Sequence, residues 1–200
     1  GGQSVFYGAV AFRYRAEDFS PPADVLGSSG ACWPFAYDEL EPWYGVAEEL
    51  LGVSGDPLAD PTEPRRTRRP ARAPSLTVTG EALHRAARDL GLHPFRPPLA
   101  ITRSTTGVTP GCTACGRCEG HPCAVAAKGD AAGLVASLVA RGMALSTRTA
   151  ALRLIAAGDR VTGVECLHLS TGKPVTLRAG TVVVSSGALA TPHLLLGSSL

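Results

Sequence analysis

The sequence predicts an α/β fold, and three observations carry that prediction. The first is the run Val182-Val183-Val184 followed by Gly187, Ala188, Thr191 and Pro192. Three consecutive valines suit a strand covered on both faces, where no polar residue need alternate. Gly187 can take a backbone conformation that a side chain blocks, and Ala188 permits close approach. Thr191 suits an N-cap and Pro192 the first helical position, which puts a helix start there. The second observation is a series of strand-like stretches between residues 144 and 178, broken by hairpin turns. The third is a set of segments with helical apolar spacing earlier in the chain. A strand, a glycine turn and a capped helix bring free N–H donors and partial positive charge to one point, which favours an anionic ligand. The same pattern also serves as an ordinary strand-to-helix turn.

Taken in order, residues 37–51 read as an amphipathic helix. Leu40, Trp43, Tyr44, Ala47, Leu50 and Leu51 follow the helical rhythm, and Gly52 is a natural stop. Residues 55–74 change character: five prolines interleave with Arg65, Arg66, Arg68, Arg69 and Arg72. That composition reads as an exposed, mobile, solvated basic loop, with a docking patch for an acidic partner or anionic substrate as the alternative. Thr79 is placed to cap a helix running to about Leu90, and Asp130 to open another running to Gly142. Strands are expected at 144–147, 150–156, 160–168 and 174–178, with Gly158-Asp159 and Thr171-Gly172 as the later hairpin turns. They form a meander that returns to the strand at Val182.

Cys112, Cys115, Cys118 and Cys123 follow the spacing C-x2-C-x2-C-x4-C. Four thiolates at such intervals suit an iron–sulfur cluster, or zinc with His121 as an alternative fourth ligand. A disulfide pair or free packed thiols fit the same spacing. Cys32 and Cys166 stand apart, and Cys166 falls in strand rhythm as a core residue. The histidines (84, 93, 121, 168 and 193) are scattered, so no catalytic residue is assigned.

With 200 residues, of which 44% are apolar, the chain is long enough to bury a core. A formal net charge of +2 points to neither nucleic acid nor a polyanionic partner. No apolar run reaches the roughly 18 to 20 residues of a membrane span. Six cysteines suit a cytoplasmic metal site or, in an oxidising periplasm, disulfides.

The two ends together carry a more specific signal. The chain opens Gly1-Gly2-Gln3-Ser4-Val5-Phe6-Tyr7-Gly8-Ala9. Near the other end, Gly187, Ala188, Thr191, Pro192, Leu194, Leu195 and Ser198 stand in one register. Between them lie Trp33-Pro34, Glu39-Leu40, Pro42-Trp43-Tyr44, Ala47-Glu48 and Gly52-Val53-Ser54-Gly55, then the Cys-rich segment ending at Ala127-Lys128. This ordered set resembles the glucose–methanol–choline (GMC) family of FAD-dependent oxidoreductases, with Gly-Gly-x-Ser and Gly-Ala-x-x-Thr-Pro signatures. Ser199 stands where the family usually has a glycine.

The resemblance implies part of a Rossmann-like FAD/NAD(P)-binding domain with a β-meander and part of a substrate cap. It divides the chain into a FAD segment (1–31), a cap segment (32–98, with the loop 55–74), a Cys-rich loop and helix (99–142), and FAD-domain strands with the second signature (143–200). Gly1, Gly2 and Ser4 are then expected along the FAD diphosphate and ribityl chain, with Tyr7, Gly8 and Ala9 against the isoalloxazine. The family commonly has Asn at the Tyr7 position. Ala151 is expected to meet adenine through its backbone, and Gly187, Ala188, Thr191 and Pro192 to form the second cofactor contact. No His lies near the first segment, so FAD binding is expected to be non-covalent. The implied activity is oxidation of a small-molecule alcohol by hydride transfer to FAD, with the electron acceptor left open among a quinone, a cytochrome and oxygen. Neither the family's Gly-x-Gly-x-x-Gly turn nor its catalytic His segment occurs in these residues, so the sequence is read as the interior of a longer polypeptide that binds FAD weakly or not at all in isolation. Two other readings accompany it: a metal- or cluster-binding electron-transfer module, and a non-catalytic remnant.

Overall fold

The computed structural model describes residues 2–56, 59–68, 70–102 and 111–199. It divides into two compact units, Gly1–Arg141 and Gly142–Leu200. In the first, the chain passes through two 3-10 turns, Gln3–Val5 and Ala16–Phe19, and a short helix α1 (Ala23–Ser29). Helix α2 (Tyr37–Leu51) follows with the expected bounds. The Glu39 carboxylate accepts from Ala36 N–H at 3.0 Å at its start, and Gly52 closes its end in the left-handed conformation, φ 65°. Strand β1 (Val53–Gly55) leaves α2 directly and is buried along its whole length. It pairs in parallel with β2 (Ala71–Arg72) and antiparallel with β3 (Leu99–Ala100). Strands of two or three residues are too short for alternation to announce them, and this sheet was not expected.

Helix α3 (Val78–Asp89) is capped by Thr77, whose hydroxyl accepts from Gly80 N–H at 3.1 Å, so the expected cap Thr79 lies inside the first turn. Helix α4 (Ala131–Ala140) starts as expected from Asp130, which accepts from Gly133 N–H at 3.0 Å.

The inward face of α2 departs from the sequence reading. Trp43 is 69% and Leu50 is 64% exposed, whereas Tyr37, Glu41 and Glu48 are buried and Tyr44 half-buried. Residues 37, 41, 44 and 48 recur at helical spacing, so they share one face. What draws them inward is Arg13, itself buried. Its guanidinium donates to both Glu48 oxygens (2.9 and 2.8 Å), to Glu41 (3.0 Å) and to the Tyr37 hydroxyl (2.9 Å), and lies 5.2 Å from the Tyr44 ring centre. Charge-assisted, bidentate bonds of this kind are the strong class, and the ring face adds to them.

The same carboxylates reach into the Pro/Arg segment. Glu41 accepts from Thr67 N–H (2.9 Å) and hydroxyl (2.7 Å), Glu48 also binds Arg66, and Tyr37 donates to Arg65 O at 2.8 Å. The side chain of Arg66 is only 5% exposed and is shared between Glu48 and Glu63. The expectation of a freely solvated loop therefore fails at residues 63–67, because two buried carboxylates needed donors and the loop supplies them. Pro57 and Arg69 lie outside the described residues. Around Phe19, the rings of Tyr14, Trp33, Phe35 and Tyr37 gather at 6.0–6.4 Å between centres.

In the second unit, β4 (Thr149–Ala157), β5 (Arg160–His168) and β6 (Lys173–Arg178) form the expected antiparallel meander. Gly158 and Gly172 take positive φ in the two turns. Residues 144–147 form no strand. Cys166 is buried as anticipated. Helix α5 (Gly187–Gly197) packs on β4, held by Ser198: its hydroxyl accepts from Leu154 N–H at 2.8 Å and donates to Leu194 O at 2.6 Å.

Val182–Val184 is a correction. It forms no ladder among the described residues, and Val183 is 82% exposed. An apolar run becomes a strand only beside a partner edge, and the meander of this unit pairs within itself. The helix start is a second correction. α5 begins at Gly187 rather than at Thr191, and Pro192 lies inside it, where it has no N–H for Ala188 O. Thr191 instead accepts from Ser186 N–H at 3.2 Å, tying down the turn that precedes the helix.

Removing Arg13 strands two buried carboxylates. Arg13→Ala is expected to cost about 3–5 kcal/mol in urea unfolding, whereas Trp43→Ala changes stability by no more than about 0.5 kcal/mol. A pH dependence follows from the same cluster. Burial raises the Glu41 pKa, but hydrogen bonds from Thr67 and Arg13 outweigh it and hold it at about 2. Glu48 is also lowered, its burial outweighed by Arg13 and Arg66. Carboxyl groups depressed on folding stabilise above their unfolded pKa of about 4.3 and lose that contribution as protons bind. The urea midpoint should therefore hold steady above about pH 5 and fall as pH drops toward 2, less steeply in Glu41→Gln.

Candidate functional site

Gly1 lies outside the described residues, so the first motif begins at Gly2, exposed and at φ 89°. The 3-10 turn Gln3–Val5 brings the Ser4 hydroxyl to the start of α4, where it accepts from Ala131 N–H at 3.1 Å. A hydroxyl that accepts one bond keeps its own proton free to donate. Tyr7 is committed elsewhere: its hydroxyl donates to Gly129 O, and burial, then Asp130, raises its pKa. Ala9 is fully buried, and its carbonyl accepts from Ala100 N–H at 2.7 Å. Gly8 is half-buried between them.

This segment is organised around Lys128, which is 3% exposed. Its ammonium donates to the carbonyls of Val5 (2.8 Å), Tyr7 (3.0 Å), Cys118 (2.8 Å) and His121 (2.8 Å), and lies 5.4 Å from the Tyr7 ring centre. A buried ammonium is tolerable only when its donors are met, and here four carbonyls and a ring face meet them. The next residue must be glycine: a Cβ on Gly129 would sit 2.3 Å from Leu51 O. Lys128 thereby joins the first motif to the Cys-rich loop. Sequence reasoning passed over its role, and only its place after small residues (Ala126-Ala127) hints at burial.

The four cysteines do not form the expected metal site. Among the described residues no group of three or more His, Cys, Asp or Glu side chains is placed to hold a metal ion. The thiols are neighbours, since burial and then Cys112, Cys115 and Cys123 push the Cys118 thiol up. Their loop, however, is already gathered by a cation, the Lys128 ammonium, which holds the backbone carbonyls of Cys118 and His121 rather than sulfur. Cys112 Sγ accepts from Ala114 N–H at 3.3 Å. Cys123 is drawn the other way in pKa: burial raises it, but the N–H groups of Lys128, Val125 and Ala127 and the Lys128 charge outweigh burial and lower it. Among the described residues, iron–sulfur or zinc ligation by Cys112, Cys115, Cys118 and Cys123 is therefore not supported.

In the second unit, Gly187 has φ 90° with nothing within 4 Å of where its Cβ would stand, and Ala188 is exposed. The first turn of α5 therefore faces outward with its N–H donors uncommitted to side chains, the arrangement that receives an anion. Thr191 accepts from Ser186 N–H and retains a hydroxyl proton, while Pro192 is exposed and has no donor. Ala151 pairs with Cys166 just before a register irregularity at Leu152. Beyond it, Arg153 and Glu165 form a two-fold pair at 2.7 Å. Among the described residues no helix is long and apolar enough to cross a membrane.

Two expectations test the Lys128 anchor. Lys128→Met leaves four carbonyls without their donor and should cost at least about 3 kcal/mol. In the unmodified protein at neutral pH, Cys123 should alkylate faster than Cys118, because its thiolate fraction is larger. Lys128→Met removes a charge that lowers both thiols, so both should alkylate more slowly, as read by mass spectrometry of timed alkylations.

With this geometry in place, comparison with known proteins converges. The family model described as "GMC oxidoreductase" matches residues 1–200. The chain is 38% identical over 206 residues to 6'''-hydroxyparomomycin C oxidase of Streptomyces lividus, covering 99% of this chain and 37% of that protein. It is 38% identical over 202 residues to paromamine 6'-oxidase of Streptomyces fradiae, covering 99% and 36%. To 2-methyl-1,2-propanediol dehydrogenase of Mycolicibacterium austroafricanum it is 29% identical over 203 residues, covering 100% and 36%. The chain thus spans little more than a third of the length of these relatives. A family match along its whole length, with relatives this similar, places the chain in the GMC oxidoreductase family.

Proposed function

We propose that this chain is the cofactor-holding part of a FAD-dependent enzyme that oxidises an alcohol carbon, and that its substrate is an amino-sugar alcohol of the kind named for two of its relatives. The observation that carries this reading is the family match over residues 1–200, together with 38% identity to two oxidases of such compounds. FAD, when bound, supplies the hydride acceptor. The residues present fit parts of that group. In the first unit, the exposed Gly2 permits close backbone approach and the Ser4 hydroxyl has a proton to donate. In the second, the open turn at Gly187 and Ala188 offers backbone N–H groups to a phosphate, with the Thr191 hydroxyl beside it. Ala151 offers backbone alone, Gly8 little volume and Pro192 only shape. Tyr7 and Ala9 serve the interior, so their part is to hold the segment in place. These residues bind and orient, and none is assigned a proton-transfer role.

The test is made on the protein that carries this chain. Purified with FAD and mixed anaerobically with paromamine, it should bleach the oxidised-flavin absorbance and yield an aldehyde. Intact flavin absorbance with paromamine and with simple diols alike overturns the reading. Gly187→Val adds a branched side chain at a left-handed position, and should weaken FAD binding about tenfold, about 1.4 kcal/mol, measured by quenching of flavin fluorescence.

A further inference from the structure

The Cys-rich loop of the first unit carries chemistry that the cofactor reading does not use. Its four cysteines are free thiols, as are Cys32 and Cys166. Two of the four, Cys118 and Cys123, are held by the same residue, Lys128. The Cys118 carbonyl accepts from the Lys128 ammonium at 2.8 Å, and so does the His121 carbonyl at 2.8 Å. Residues 119 and 120 turn between those carbonyls, with Gly120 at φ 75°. Gly120 N–H donates to Phe6 O at 2.6 Å, which fastens this turn to the first motif.

Cys123 opens a second turn where the first one ends. Ala126 N–H donates to Cys123 O at 3.1 Å, and Ala126 itself is left-handed, φ 54°. The chain folds back on itself there, and the N–H groups of Lys128, Val125 and Ala127 meet the Cys123 sulfur. Backbone N–H groups that converge in this way form a nest for an anion, here the thiolate of Cys123 itself. Burial opposes ionisation of Cys123, but those N–H groups and the Lys128 charge outweigh it. Cys118 has the opposite character. Burial, and then the neighbouring thiols of Cys112, Cys115 and Cys123, favour its neutral form. Both residues are half-buried, which leaves them open to a small oxidant. An ionised thiol beside a protonated one is the pairing that first meets a peroxide and then closes a disulfide.

We infer that Cys123 and Cys118 are a peroxide-reactive pair, in which Cys123 attacks the oxidant and Cys118 resolves the product. The Cys123 thiolate attacks hydrogen peroxide: the O–O bond breaks, an S–O bond forms and hydroxide leaves, giving a sulfenic acid. The Cys118 sulfur then attacks the Cys123 sulfur. The S–O bond breaks, an S–S bond forms, and the oxygen departs as water with the Cys118 proton. The two thiols give up an electron pair between them, and the peroxide is reduced to water. With oxygen as electron acceptor, the enzyme proposed above releases hydrogen peroxide itself. Only that source of oxidant rests on the alcohol-oxidation reading; the chemistry stands on the loop.

The test uses the FAD-loaded protein that carries this chain, treated with hydrogen peroxide in the absence of any alcohol. Free thiols are then blocked with iodoacetamide and the protein is digested with trypsin. Cleavage after Arg117 and Lys128 releases Cys118 and Cys123 in one peptide. That peptide should be lighter by two hydrogens, escape alkylation, and regain both thiols with dithiothreitol. In Cys118→Ser the disulfide should be lost, and dimedone should instead trap a sulfenic acid at Cys123. Cys123→Ser should lose both products. Exposed Cys32 is the internal comparison, and its oxidation should be at least about tenfold slower than that of Cys123. An unmodified peptide in the unsubstituted protein, sulfenic acid trapped first at Cys32 or Cys115, or a cross-link from Cys123 to Cys112 or Cys115 would overturn the inference. The two readings fail separately. A Cys118–Cys123 disulfide without oxidation of any alcohol keeps the pair and removes the proposed activity. Alcohol oxidation with the peptide unmodified does the reverse.

Discussion

A guanidinium buried among two carboxylates, a phenol and a ring face decides how the first unit is built. Arg13 lies on the segment leading out of the N-terminal motif, and satisfying it requires both Glu41 and Glu48 on one face of α2. Once those carboxylates are inside, their remaining lone pairs need donors, and Thr67 and Arg66 must fold against the helix to supply them. The orientation of α2 and the path of the loop after it both follow from that single charge. Hydrophobic burial alone would have turned the helix with Trp43 and Leu50 inward.

Lys128 is another buried cation of this unit, and it and Arg13 divide the labour. Several core positions are small (Ala9, Ala73, Ala100 and Ala127), so packing them yields modest transfer free energy. Long basic side chains fill the space between and reach several segments at once. Such arrangements are weak sources of net stability, because desolvation offsets most of the Coulomb gain, but only one set of partners satisfies them. Arg13 selects the pairing of the entry segment with α2, and Lys128 that of the entry segment with the Cys-rich loop. The motif bearing Gly2 and Ser4 is therefore positioned from both sides by charges it does not contain.

How much of this was legible depended on whether the governing interaction was local. Helix α2, its stop at Gly52 and the β4–β6 meander follow from spacing and turn chemistry within a few residues, and they appear where expected. The family was legible because short motifs recur in fixed order. The burial of Glu41 and Glu48 was not, since it answers a residue 28 to 35 positions away. Val182–Val184 failed for a related reason: an apolar run states a capacity to be covered, and the partner edge is not written in it. The cysteine spacing gave no sign of the role of that loop's backbone, because its carbonyls, invisible in a side-chain pattern, are recruited by Lys128.

The reach of Lys128 also bears on how the chain folds. Its carbonyl partners come from both ends of a span of 123 residues, so the ammonium cannot leave water until the entry segment and the Cys-rich loop have met. Closing so long a loop is an entropic cost borne before any reward, which puts this contact among the last to form. Interactions made after the folding barrier slow the escape from the native state while leaving the rate of reaching it nearly unchanged. The buried lysine thus acts as a latch on unfolding, lengthening the lifetime of the cofactor segment rather than hastening its assembly.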